Sequence, residues 1–158
     1  MPIKALSASF TRPNDTTAYT SGDLVANSTT AGSVSPMSFA LANPAAGQTT
    51  VKRVRLLKSG TTATNGAFRV HFYGASPTVA NGDNGAWSSN KAANYYGSID
   101  VTVVAFSDGC AAAGAATAGA EVEVILSSGS TFYCLLEARG AYTPAAEEVF
   151  TLTVEYAG

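Results

Sequence analysis

Charge is scarce in this chain. Of its 158 residues, 13% are Asp, Glu, Lys or Arg, and the formal net charge is −2. That charge content is half the usual ~25%, so the surface must rely on Ser, Thr, Asn and Gly. It argues against strong binding to nucleic acid or to an anionic membrane, because both need concentrated Lys and Arg. The two cysteines, Cys110 and Cys134, are too few for a disulfide framework or a zinc site and read as free thiols. No run of 18 apolar residues is present, so no membrane-spanning helix is expected. The opening "MPIKALSASFTRPND" lacks the apolar stretch of a signal peptide, and the expectation is assembly in a cytoplasm. No G-x-S-x-G, P-loop or H-E-x-x-H pattern occurs, so no enzyme class or cofactor is indicated.

Apolar residues are plentiful. They make up 46% of the chain, which argues for a packed core over disorder. The length suits one domain, 1–158, able to bury roughly 68–70% of its unfolded surface. Residues 68–73, "FRVHFY", alternate with Phe68, Val70 and Phe72 on one face and Arg69, His71 and Tyr73 on the other. The same period groups Val122, Val124 and Leu126, then Phe132, Cys134, Leu136 and Ala138, then Phe150, Leu152, Val154 and Tyr156. Residues 50–59 read as a strand with Val51 and Leu57 opposed to Val54 and Leu56. Weaker strand candidates are 3–10, 23–26, 37–42 and 95–106. The one helical candidate, "CAAAGAATAGA" at 110–120, has no polar face and is weakened by Gly114 and Gly119. It reads as a small-residue loop with at most one helical turn, suited to lie on its own domain or against a neighbouring subunit. The pattern predicts an all-β, single-domain β-sandwich or barrel with little or no helix.

Candidate functional residues are few. The single histidine, His71, sits mid-strand among aromatics with no marked nucleophile, and reads as structural or solvent-facing. Glu121 with Glu123 and Glu147 with Glu148 are close pairs, but acids on the polar face of a strand are usually solvated. Lys52, Arg53, Arg55 and Lys58 place four of the nine cations within seven positions. They make either a docking strip for an acidic surface or a charged edge strand guarded against aggregation. Six of the eleven acids fall between Glu121 and Glu155, a bias that suits head-to-tail contact between like subunits. Residues 1–22 carry the apolar anchors Ile3, Leu6, Phe10 and Tyr19, and read as an N-terminal arm or a first strand.

The stretch 75–90, "ASPTVANGDNGAWSSN", could be a metal loop, a sugar-binding loop or a connection. Asp83 and Asn84 are adjacent and no Glu precedes Glu121, against the alternating ligands of an EF-hand. Asn81-Gly82 and Asn84-Gly85 are turn-prone, which favours a self-folded loop plugged by Trp87. The rival reading makes Trp87, Tyr95 and Tyr96 a stacking platform for a sugar or receptor.

The strings "SFTRPNDTTAYTSGDLVANSTT" at 9–30, "GASPTVANGDNGAW" at 74–87 and "CLLEARGAYTPAAEEVFTLTVE" at 134–155 resemble a family of small virion proteins of tailed bacteriophages. The family is similar in character to capsid decoration or cement proteins. The resemblance implies a jelly-roll-like sandwich with no cofactor, a homotrimer on the capsid exterior, and the major capsid protein as partner.

Overall fold

In a computed structural model, which describes residues 2–44, 47–88 and 94–157, the chain forms two antiparallel sheets. The strands are β1 (Ile3–Thr11), β2 (Leu24–Val25), β3 (Met37–Ala40), β4 (Gln48–Lys58), β5 (Ala67–Tyr73), β6 (Tyr95–Thr102), β7 (Val104–Phe106), β8 (Gly109–Ala115), β9 (Val122–Ile125), β10 (Thr131–Ala138) and β11 (Val149–Ala157). One sheet runs β1-β11-β4-β8-β7, with β9 on the first half of β4. The other runs β2-β10-β5-β6, with β3 beside the first half of β10. Among the described residues no α-helix occurs, and a 3-10 turn spans Ala31–Ser33.

The core lies between the sheets. It takes Val54 and Leu56 from β4, Phe150, Leu152 and Val154 from β11, Phe68, Val70 and Phe72 from β5, and Phe132 and Leu136 from β10. These are the period-2 residues of the sequence, and their burial is what fixes strand register. Phe68 meets the rings of Phe150 and Tyr142 edge-on, at 5.5 and 5.4 Å, tying the two sheets together.

Three expectations need correction. First, β4 is not an edge strand. It pairs with β11 on one side and with β8 and β9 on the other, so its cations do not guard a free edge. Second, β4 does not alternate strictly. Arg53 faces Glu155 and Val51 faces Tyr156, which leaves Lys52 unpaired in a bulge. The bulge turns Val51 to the same side as Val54 and Leu56, while Leu57 faces out. Third, the segment from Gly109 to Ala115 is strand β8, not a loop or a helical turn. Its small residues answer to space: a Cβ on Gly114 would lie 2.5 Å from the Asp100 carbonyl oxygen of the facing sheet. Helix propensity loses here to the closeness of the two sheets.

The N-terminus is a strand, β1, paired along its whole length with β11. Phe10 stacks on Phe150 at 5.6 Å, and Leu6 and Phe10 pack half-buried against the core, while Ile3 is exposed. Cys110 on β8 and Cys134 on β10 are both buried and free, and they belong to opposite sheets. Among the described residues, no helix is long and apolar enough to cross a membrane.

Candidate functional site

The two outer faces of the sandwich differ. The outer face of the five-stranded sheet is covered by the loop after β5. Val79 and Trp87 from that loop pack with Tyr73, Tyr95 and Leu135 of the sheet and with Leu24 and Ala26 of the β2 region. This explains why β10 carries apolar residues on both faces, a pattern that marks a strand buried on both sides.

Asp83 anchors the covering loop. Its carboxylate is buried and accepts hydrogen bonds from Arg12 Nη2 at 2.7 Å, the Tyr19 hydroxyl at 2.7 Å and the Ala26 amide at 2.8 Å. Arg12 Nε also bonds the Tyr19 hydroxyl. Both carboxylate oxygens are thus occupied from within the chain. Burial first, then the charge of Asp83, raises the Tyr19 hydroxyl above its ordinary range and keeps it protonated. The loop packs tightly: a Cβ on Gly82 would lie 2.1 Å from the Thr29 carbonyl oxygen. Asn84 adopts a positive φ of 62° and donates to the Thr17 carbonyl at 3.0 Å. Residues 75–88 therefore form a self-folded connection plugged by Trp87, while residues 89 and 90 lie outside the described residues. Among the described residues, no cluster of His, Cys, Asp or Glu could hold a metal ion.

His71 lies beneath this loop, 3% exposed, and is not solvent-facing. Its Nε2 lies 2.6 Å from Glu137 Oε2 and its Nδ1 lies 3.1 Å from the Tyr95 hydroxyl. A neutral imidazole satisfies both by donating to the carboxylate and accepting from the phenol. Burial pushes the imidazole pKa below 6.5, against the opposing pull of Glu137. Arg139 Nη1 donates to the other Glu137 oxygen at 2.7 Å. The chain of carboxylate, imidazole and hydroxyl resembles a catalytic relay, but Trp87 lies flat on the imidazole and roofs it. Of the three aromatics in the proposed platform, Trp87 and Tyr95 pack into this outer cluster and Tyr96 packs against the main core. The bulge that leaves Tyr96 unpaired, between Gly97 and Tyr95, separates the two tyrosines.

The cationic strip is similarly divided. Lys58 is fully buried, donating to Glu148 Oε1 at 2.9 Å and to the Gly60 carbonyl at 2.8 Å, so it cannot dock a partner. Tyr142 donates its hydroxyl to the same carboxylate, at 2.6 Å from one oxygen and 2.7 Å from the other. Glu148 is consequently a core group, not a solvated acid. Lys52 pairs with Glu121 at 3.6 Å. Arg53 and Arg55 each reach Glu155 at 2.9 Å on the outer face of the six-stranded sheet. The hydrogen bond from Arg53 holds Glu155 below the usual carboxylate range.

That outer face is bare: no described residue covers it. Register places hydroxyl pairs on one flank, with Ser7 against Thr153 and Ser9 against Thr151, each 2.8 Å apart. Across the sheet the row continues from Thr151 through Leu57 and Ala111 to Val104. Leu57, Val104 and Phe106 are 51, 58 and 55% exposed. They line a shallow groove of about 460 Å³ whose floor is the alanines of β8. Sequence reasoning offered the small residues of 110–120 as a surface for a neighbouring subunit, but it missed Val104 and Phe106, because exposed apolar residues in a strand look the same on paper as core ones. No protein-family model and no curated protein matches the chain.

Proposed function

We propose that the chain is a structural subunit that decorates and stabilises a bacteriophage capsid from outside, working by surface contact and not by catalysis. One observation carries the reading: the buried charged side chains are satisfied within the fold, and among the described residues nothing covers the outer face of the six-stranded sheet. Asp83, Glu137, Glu148 and Lys58 are held by partners within the chain. A face that is weakly charged, rich in Ser and Thr and apolar at one corner suits a lasting protein contact. The strings at 9–30, 74–87 and 134–155 support the capsid as the setting, with the major capsid protein as partner, a homotrimer as the unit and a jelly-roll-like topology. The rival carbohydrate- or receptor-binding reading loses support from Trp87, whose ring already rests on His71.

Co-sedimentation tests the proposal. Purified chain is mixed with empty capsids built from the major capsid protein of the phage that encodes it. Saturable pelleting at a fixed ratio of chain to capsid protein is expected. Chain that stays in the supernatant at every ratio overturns the proposal.

A further inference from the structure

We infer that the apolar corner around β7 is occupied by a second copy of this chain. The inference rests on the structural-subunit reading and names the partner that this part of the bare face takes.

The first argument is the edge itself. Among the described residues β7 pairs with β8 on one side only, so its other side presents backbone N–H and C=O groups with no strand partner there. An edge of this kind is satisfied by another strand. Apart from its shortness, three residues, the edge lacks the usual protections: Val104, Ala105 and Phe106 are all exposed, with no Lys, Pro or bulge among them. The second argument is shape. The corner carries both a projection and a recess, because Phe106 stands at the rim of a groove floored by Ala111 and Ala113. A surface that holds both halves of a fit can meet its own copy.

The third argument is charge. Two cations, Arg53 and Arg55, share the single anion Glu155, leaving a surplus positive charge at one end of the corner. At the other end, the turn between β7 and β8 exposes Asp108, which has no ion-pair partner among the described residues. Two copies set so that the Asp108 end of one faces the arginine end of the other attract, whereas two uniformly charged corners would repel. Either a two-fold pair or a closed ring satisfies this arrangement.

Light scattering on the purified chain over a wide range of concentration tests the inference. A mass of about 48 kDa, from three 16.0 kDa chains, or about 32 kDa, from two, is expected. Phe106→Ser should raise the dissociation constant roughly tenfold or more, since it removes a large apolar side chain from the contact. Asp108→Lys should weaken association, and the effect should fade in high salt. Both side chains are exposed in the subunit, so circular dichroism and the unfolding midpoint should stay at wild-type values. Hydrogen exchange supplies a measurement without mutation: the β7 amides that point away from β8 should be protected in the assembled protein and exposed in Phe106→Ser. A chain that is monomeric at every concentration, with rapidly exchanging β7 amides, overturns the inference. If that monomer still pellets with capsids, the capsid-decorating role stands and the homotrimer falls with the inference. An oligomer that ignores capsids supports the inference while overturning the proposed function.

Discussion

Trp87 lies flat on His71, with ring centroids 4.0 Å apart and 10° between the planes. The stack closes the loop after β5 over the one imidazole of the chain, and this decides how His71 behaves. Its burial lowers the folded pKa below the ordinary imidazole value of 6.5. The unfolded chain therefore binds more protons just below pH 6.5. Stability from His71 is present above that pH and is lost as pH falls toward the folded pKa. Urea unfolding across this range should show stability falling with pH, and His71→Gln should remove that slope. A slope unchanged by the substitution would contradict the assignment.

His71→Ala should be costly for stability and neutral for binding. It removes the Trp87 platform and one hydrogen-bond partner from each of Glu137 and Tyr95. A loss of about 2–3 kcal/mol is expected. Folded variant should still pellet with capsids at the wild-type ratio. Loss of pelleting by variant that is folded would give His71 a role in function.

Lys58 and Glu148 make a buried pair, and removing one member strands the other. Lys58→Met should cost about 3–5 kcal/mol. Adding Glu148→Gln should recover much of the loss, because glutamine keeps an acceptor for Tyr142 and carries no charge. Equilibrium unfolding of the single and double variants completes the cycle. Additive losses would show that the two groups are not coupled.

The framework of strands was legible because one face of each strand is buried and alternation is then enforced. The failures have specific physical causes. Bulges at Lys52 and Tyr96 break the period that sequence reading assumes, which misplaced Val51 and split the tyrosines. In β8, glycine and alanine are set by the nearness of the facing sheet, a constraint from residues distant in sequence such as Asp100. Glu148 looked like an ordinary strand acid and Glu137 drew no notice, because their partners, Lys58 and His71, lie 90 and 66 positions away. Apolar residues on both faces of β10 were a usable sign that a cover existed.

The thiols offer a simple check on packing. Cys110 and Cys134 lie in opposite sheets, and burial pushes the Cys134 thiol well above its ordinary pKa. A thiol reagent should react slowly with folded protein and find two thiols after unfolding without reductant. Finding none after unfolding would mean that the cysteines had paired.

The most direct test of the structural role is a stability challenge on capsids. Capsids lacking the chain are split into two samples, one receives saturating chain, and both are heated while disassembly is followed by light scattering. The account predicts a higher disassembly temperature for the decorated sample, returning to the undecorated value when the chain is stripped off. Identical disassembly temperatures, with the chain shown to be bound, would contradict it.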